Sequence, residues 1–421
     1  MIKVGIVGVG TVGQSVVEIL EQNSEIIEAR AGKKIVAAKG VVRDITKKRD
    51  IAVTLSDDPY DIINDESIDI VVELMGGVDK PFELIKAAMQ KGKSVVTANK
   101  ALLAYHRYEL QELAEKNPKV AFGYEASVAG GIPIIQALKT GLSANHIDSI
   151  SGIMNGTCNY ILTKMINEKA EFDATLKEAQ DLGYAEADPT FDVGGFDAAH
   201  KLLILASIAY GIDAKPEDIV IEGIESISPI DIEFANKFGY AIKLLAMAKK
   251  NGDEVELRVH PCMIDADSMV AKIDGVMNGI SVVGDRVGET LYYGPGAGGD
   301  ATASSVIADI IDIARGNSSA MLGYNRALES GVTLTEKEQI RSKYYLRLLV
   351  NDEAGVLAKI SDTFAKHDIS IETMMQQPSG KEMANLLVAT HICKEQSIHK
   401  VMDELFENQN VFTKPAMIRI D

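Results

Sequence analysis

The chain opens on an apolar run over 3–7, KVGIV, which gives way to GVGTVG and then to VVEILEQ, where apolar residues return at helical spacing. That order predicts a strand, a glycine turn and a helix. Further strand-like runs lie at 35–42, 68–74, 94–98 and 120–124, separated by helical stretches such as PFELIKAAMQKG and YELQELAEKN. Strands alternating with helices predict a parallel sheet covering 1–130.

Beyond Gly130 the pattern changes. A strand at 146–153, helices at 159–169 and 173–182, a long helix over 197–210 and a hairpin across Asn251-Gly252-Asp253 predict an α+β domain over 131–320. Within it, YYGPGAGGDATASSVIADIIDIAR reads as a second glycine loop opening a helix near 300–315. That helix is expected to return to the first domain and bring Gly298 to its ligand. Periodicity is poor over 321–342, which reads as a linker. The remainder, 343–421, has strands at 344–350, 369–377, 384–391 and 411–420 with helices at 355–366 and 396–407. This βαββαβ order is ferredoxin-like.

Composition narrows the partners. With 46% hydrophobic and 25% charged residues over 421 positions, the chain has the make-up of a soluble multidomain protein. A net charge of -18 offers no basic footprint for nucleic acid. Cys158, Cys262 and Cys393 are far apart and show no metal-ligand spacing, which fits a reducing cytoplasm. The start, MIKVGIVGVGTVG, has four glycines and no long apolar run, so a strand and turn are expected rather than a signal or membrane segment.

The glycines carry the first piece of chemistry. Gly8 suits a tight turn, Gly10 a close backbone approach to pyrophosphate and Gly13 close helix-to-strand packing, with Thr11 and Val12 at the helix start. A Rossmann-type dinucleotide site follows. Arg43 ends the second strand with Lys47, Lys48 and Arg49 close behind, which favours the 2'-phosphate of NADP. Asp44 beside it suits the ribose hydroxyls of NAD instead.

The second piece is GYAEADPTFDVGGFDAAHK over 183–201, where Glu186, Asp188, Asp192 and Asp197 precede Lys201 and the apolar LLILASIAY. On a helix, Asp197 and Lys201 stand at i and i+4 and face one side, so the carboxylate orients an ammonium at the edge of a core. The same run also reads as a solvated acidic loop. Thr157 in GTCN offers a hydroxyl at a helix start, suited to a carboxylate, to a nicotinamide amide or simply to capping.

Three motifs, TANKALL at 97–103, YEASVAGGIPII at 124–135 and GTCNYIL together with the 183–201 run, resemble homoserine dehydrogenases of the monofunctional type with a C-terminal ACT domain. The segment LRLLVNDEAGVLAKISDTFAKHDISIETMMQQ is similar to the opening of an ACT domain. The resemblance implies NAD(P)-dependent interconversion of L-homoserine and L-aspartate 4-semialdehyde, on the route to threonine, isoleucine and methionine. It implies Lys201 as acid/base, Lys100 as a second ammonium and Asp197 as the group that positions Lys201. Glu186, Asp192, Thr157 and Tyr184 would hold the substrate, while Thr97, Lys100 and Gly183 would join the cofactor site. It further implies a monovalent cation, sodium, held by the Glu125 side chain and the backbone oxygens of Val128, Gly130 and Ile132. An effector, threonine, would meet Asn351, Asp352, Gly355, Val356 and Leu357 in a homodimer or homotetramer assembled through the 131–320 domain.

Overall fold

The computed structural model describes every residue except 50, 318, 327, 329, 330 and 408–410. The chain forms two compact units, and neither is a continuous stretch. The first comprises Met1–Ile150, Asp197–Glu217 and Met277–Val332; the second comprises Ser151–Phe196, Asp218–Val276 and Thr333–Asp421. The sequence predicted consecutive blocks with one helix near 300–315 returning to the first; that helix does return, and Asp197–Glu217 belongs to the first unit as well.

The first unit is built on a parallel sheet in the order Thr54–Ser56, Ile35–Val41, Ile2–Val7, Ile70–Glu73, Ser94–Thr97, Phe122–Gly123. This is the doubly wound order, with strand direction of travel reversing beside Ile2–Val7, where such sheets leave a ligand crevice. Val4, Ile6, Ile70, Val72 and Val96 of the strands pack with Val16, Val17 and Leu20 of the helix Thr11–Gln22. The distant helix Gly299–Arg315 joins the same core through Ala303, Val306, Ile307 and Ile310. Its apolar stripe is covered by a sheet whose strands all precede Tyr124.

Two predicted boundaries move. The helix expected from 108 starts at Lys100, because Asn99 caps it by accepting from the Leu102 N–H at 3.0 Å. The strand expected over 120–124 shrinks to Phe122–Gly123, where a side chain on Gly123 would collide with Asp309 at 2.6 Å. The hairpin Met277–Gly284 with Gly288–Pro295 was not anticipated.

In the second unit the predicted hairpin is present, Tyr240–Asn251 against Glu254–Asp265, turning at Gly252 with φ +63°. The far side of Glu254–Asp265 pairs in parallel with Ala416–Ile420, placing Cys262 opposite Arg419. Arg341–Asn351, Met383–Thr390 and Ile371–Pro378 follow, each antiparallel to its neighbour. With the helices Val356–Lys366 and Glu395–Phe406 these last four strands make the ferredoxin-like βαββαβ, closed over Leu346, Leu348, Phe364, Leu386, Ile398 and Leu405.

That βαββαβ is therefore continuous with the rest of its unit rather than tethered to it. A second attachment supports this: Asp231, fully buried in a capping box with Ser228, accepts from Tyr345 Oη at 2.7 Å and Arg347 Nε at 2.8 Å. The predicted linker is also anchored. Thr333–Leu334 pairs in parallel with Glu254 and Val255, Lys337–Gln339 forms a 3-10 turn, and Met321 and Leu322 upstream are buried. Residues 327, 329 and 330 of that segment lie outside the described residues. A two-residue strand is too short to leave a periodic signature.

Candidate active site

The glycine turn has the geometry its spacing implied. Gly8 sits at φ +107°, and a Cβ there would lie 2.7 Å from the carbonyl of Leu74; one on Gly13 would lie 2.4 Å from the Gly8 oxygen. Strand end and helix start thus touch backbone to backbone. A Cβ on Gly10 would meet nothing within 4 Å, so the helix N-terminus faces open space there. Beside it is a cavity of about 300 Å³ lined by Gly8, Gly10, Arg43, Arg49, Asp57 and Lys80. Its size and its three cations fit the phosphate and ribose end of a dinucleotide.

Asp44 is engaged locally through one carboxylate oxygen. Its carboxylate accepts from both the N–H and the hydroxyl of Thr46 at 2.9 and 2.6 Å, and these bonds hold it below the usual carboxylate range. The loop is further stapled by Arg49, which donates to the carbonyls of Asp44 and Lys47. Lys80 gave no signal in the sequence, since a lone lysine ahead of a helix looks like surface.

The second glycine loop arrives at the same place. Gly298, at φ +110°, precedes the helix Gly299–Arg315, and a Cβ on Gly299 would lie 2.7 Å from Ser15 Oγ and 3.2 Å from the Thr11 methyl. Two helix N-termini, at Thr11 and Gly299, therefore stand side by side. Thr97 behaves otherwise than expected. It is fully buried, donating to Glu73 Oε2 at 2.7 Å and accepting from the Asn99 N–H at 3.0 Å. Its hydroxyl is thus committed to Glu73 and to the turn at Asn99. Burial raises the carboxyl of Glu73 above its ordinary value.

The helix Phe196–Tyr210 carries a buried acid–lysine pair. Asp197 and Lys201 are joined at 2.8 Å, as their i, i+4 spacing predicted, and both are buried. The other oxygen of Asp197 holds Lys100 Nζ at 3.1 Å. One carboxylate thus fixes two ammonium groups, one nearly enclosed and one about a third exposed (10% and 35%). His200 was missed by the sequence reading, though its position at i+3 from Asp197 puts it on the same face. Burial lowers its proton affinity, and its ring stands edge-on to Tyr105 at 5.7 Å.

In the second unit the remaining predicted residues group around the helix Gly156–Glu168. Its cap is Asn155, accepting from Cys158 N–H at 2.8 Å, and not Thr157. Asn155 also donates to Asp192 Oδ1 at 2.8 Å, so the cap aims a carboxylate. Thr157 donates its hydroxyl to the Tyr184 carbonyl at 2.6 Å and pins the 183–187 loop. Tyr184 and Glu186 are exposed on that loop. Gly183, at φ +76°, ends the helix Phe172–Asp181, a terminator role that accounts for the glycine without a cofactor. Asp188 accepts from the Thr190 N–H at 3.2 Å, the turn-forming role its Pro189 neighbour suggested.

Glu125 is buried, and its two carboxylate oxygens accept from Ile135 and Gln136 N–H at 2.9 and 2.7 Å. The side chain is thus committed to the start of a helical segment. Gly130 O already accepts from Ser305 Oγ at 2.7 Å and Ile132 O from Ile134 N–H at 2.8 Å. Ala129 and Gly130 take successive left-handed conformations (φ +54° and +50°), turning the loop sharply. The available donors are all hard oxygens, which suits a hard monovalent cation. Close by, Asp309 accepts from the Glu125 N–H at 2.8 Å. Burial, and then the neighbouring Glu125 carboxylate, push Asp309 up to about 8, and burial pushes Glu125 up to about 7.

At the far end of the chain, Asn351 closes a strand and Gly355, at φ +91°, caps the helix Val356–Lys366. Asp352 between them accepts from Gln376 Nε2 at 2.7 Å, and Leu357 is exposed.

Hydride chemistry on a nicotinamide requires a dinucleotide cradle and a group able to exchange a proton; the first unit has the glycine-turn cradle and, on Phe196–Tyr210, a buried lysine–carboxylate pair. That places the protein among the dinucleotide-dependent oxidoreductases. Comparison with known proteins identifies which: residues 133–311 match the homoserine dehydrogenase family, residues 8–122 match the homoserine dehydrogenase NAD binding domain, and residues 344–408 match the ACT domain. The chain belongs to the homoserine dehydrogenase family. It is similar to the homoserine dehydrogenase of Helicobacter pylori, 55% identical over all of this chain and 99% of that one, and to that of Bacillus subtilis, 37% identical over all of this chain and 98% of the other. Among solved structures, a homoserine dehydrogenase from Thiobacillus denitrificans covers all of this chain and 98% of its own, with a TM-score of 0.92 at 42% identity. A hyperthermophilic archaeal homoserine dehydrogenase in complex with NADPH covers 77% of this chain and 99% of its own, with a TM-score of 0.63 at 29% identity. Among the described residues no helix is long and apolar enough to cross a membrane.

Proposed function

We propose that this homoserine dehydrogenase interconverts L-homoserine and L-aspartate 4-semialdehyde with Lys201 as the proton carrier. The observation that carries the reading is the Asp197 carboxylate between Lys201 and Lys100. A nicotinamide supplies the hydride acceptor. As the alcohol is oxidised, its hydroxyl proton passes to Lys201 Nζ, and in reverse Lys201 Nζ donates to the carbonyl oxygen. Asp197 holds the amine in register, while Lys100 stabilises negative charge on the reacting oxygen. Asp192, aimed by Asn155, and Glu186 take the substrate's amino group; the N–H groups at Gly156 and Thr157 suit its carboxylate.

For the cofactor, Arg43 and Arg49 in the same cavity favour NADP, because a guanidinium grips a 2'-phosphate that NAD lacks. The 125–132 loop would hold sodium through backbone oxygens, as a structural ion. L-threonine is the expected effector at Asn351–Leu357, in a cytoplasmic homodimer or homotetramer. The deciding experiment is absorbance at the nicotinamide band with L-homoserine and NADP⁺. Absence of reduction with either NADP⁺ or NAD⁺ would reject the assignment of this reaction to the chain.

A further inference from the structure

The substrate loop of the second unit is braced from an unexpected direction. Between Asp192 and the helix that begins at Phe196, the backbone at Val193–Gly195 packs directly on the segment Glu222–Ile224. Ile224 N–H donates to the Val193 carbonyl at 3.0 Å. A Cβ on Gly223 would lie 2.5 Å from that same carbonyl oxygen and 2.9 Å from Gly194 Cα, and one on Gly195, which sits at φ +86°, would lie 3.3 Å from the Glu222 carbonyl. Backbone lies on backbone, so the height of one segment sets the height of the other.

Glu222 is itself gripped by the last strand of the chain. Both terminal nitrogens of Arg419 donate to its carboxylate, Nη1 to Oε2 at 2.8 Å and Nη2 to Oε1 at 2.7 Å, the bidentate arrangement that fixes direction as well as distance. Arg419 is 1% exposed. It also binds Glu395 through Nε and Nη2, and Glu395 in turn accepts from Tyr344 Oη at 2.7 Å and pairs with His399 Nε2 at 3.0 Å. Glu222, Glu395 and His399 bring ligand atoms within 4.8 Å of one another, a spacing that resembles a metal centre. The guanidinium already supplies the cation of that cluster.

One counter-charge is enough for Arg419, and Glu395 is the buried one. Glu222, with a third of its side chain exposed (33%), is not held there by any need of its own for burial. A second, directional carboxylate bond from the C-terminal strand to a segment on which the Val193–Gly195 backbone rests calls for a different purpose.

We propose that Arg419 and Glu222 are positioning residues for the reaction: the C-terminal strand, through this ion pair, sets the substrate loop so that Asp192 meets the amino group of homoserine. The proposal rests on the reading that Asp192 binds substrate. It makes the ACT portion part of the substrate site's support even with no effector bound.

The test is steady-state kinetics on the full-length enzyme for Glu222→Gln, Arg419→Lys and the double variant, with Asp192→Asn as reference and thermal unfolding in parallel. Glu222→Gln should raise the KM for homoserine about tenfold, because a small misplacement of a substrate-orienting group costs that order of binding. The KM for the cofactor should not move. Arg419→Lys, which keeps charge but loses the fork, should do the same, and the double variant should be no worse than the poorer single one. A role confined to stability would lower the unfolding temperature and leave the homoserine KM alone. If Asp192→Asn raises that KM and Glu222→Gln leaves it within about twofold of wild type, the proposal is overturned while the substrate reading stands. If Asp192→Asn has no effect, the substrate reading fails and takes the proposal with it. Should Arg419→Lys not fold, Glu222→Gln decides alone, since Arg419 keeps Glu395 as its partner in that variant.

Discussion

Lys100 and Lys201 share one carboxylate, that of Asp197, at 3.1 and 2.8 Å, although the first opens a helix behind the parallel sheet and the second lies inside a helix a hundred positions later. Two ammonium groups held on opposite oxygens of one acid keep a fixed spacing from each other. In the proposed reaction a substrate oxygen placed before them would exchange its proton with Lys201 while Lys100 stabilises its charge.

Replacing Lys201 by alanine should therefore lower turnover by about a hundredfold or more, the usual contribution of general acid–base catalysis, with little change in cofactor affinity. Asp197→Asn should also be severely impaired, because both ammonium groups lose their anchor together. The measurement is single-turnover nicotinamide reduction alongside a cofactor titration; Lys201→Ala retaining more than roughly a tenth of wild-type turnover would contradict the role.

Arg43→Ala should weaken NADP⁺ far more than NAD⁺. A charge-assisted bond to phosphate is worth about 1.5–3 kcal/mol, so the ratio of the two dissociation constants should shift by roughly tenfold or more. Arg49→Ala should be milder in that ratio, since its guanidinium is partly occupied with the carbonyls of Asp44 and Lys47. Equal losses for both cofactors would locate the discrimination outside this loop.

Folding stability should fall as the pH rises from the ordinary carboxylate range toward neutrality. Asp309 and Glu125 keep their protons up to about 8 and 7 in the folded state, whereas in the unfolded chain they release them near 3.8 and 4.5, as free carboxyls do. Between those limits the folded state binds more protons than the unfolded one, which makes the slope of stability against pH negative. Denaturant unfolding across pH 4 to 8 tests the sign, and Asp309→Asn, which cannot ionise, should flatten the slope.

L-Threonine at millimolar concentration should inhibit the full-length enzyme and release heat on binding. Gly355→Asp should relieve the inhibition, because a fixed carboxylate at the N-terminus of Val356–Lys366 occupies the position of the ligand's own carboxylate. A Cβ at Gly355 would meet no atom within 4 Å, so the variant's cost is backbone strain at φ +91° rather than collision. Neither heat nor inhibition would leave this turn without a threonine site.

What the sequence made legible was local. The Gly8-Gly10-Gly13 spacing, the Asp197–Lys201 pairing and each strand and helix of the βαββαβ could be read because their partners lie within one turn or one period. Thr97 was misplaced because a hydroxyl at a strand end looks the same whether it faces a ligand or Glu73. Asn155 was passed over for Thr157 because both are good caps, and only the helix start tells them apart. The Lys100–Asp197 contact, the core position of Gly299–Arg315 and the pairing of Cys262 with Arg419 join residues far apart, and such pairings leave no trace in the periodicity of either partner.

Ala416–Ile420 has a consequence for how the chain is made. It is synthesised after both of its neighbours, Glu254–Asp265 and Arg341–Asn351, and yet it lies between them. Until it emerges, one edge of Arg341–Asn351 and the Cys262–Met263 end of Glu254–Asp265 stand open, the kind of surface that recruits other chains. A nascent or truncated protein ending before 416 is thus not an enzyme lacking a regulatory appendage but a sheet with a missing middle. Its expected behaviour is aggregation during synthesis, with completion of the last strand as the step that closes the danger.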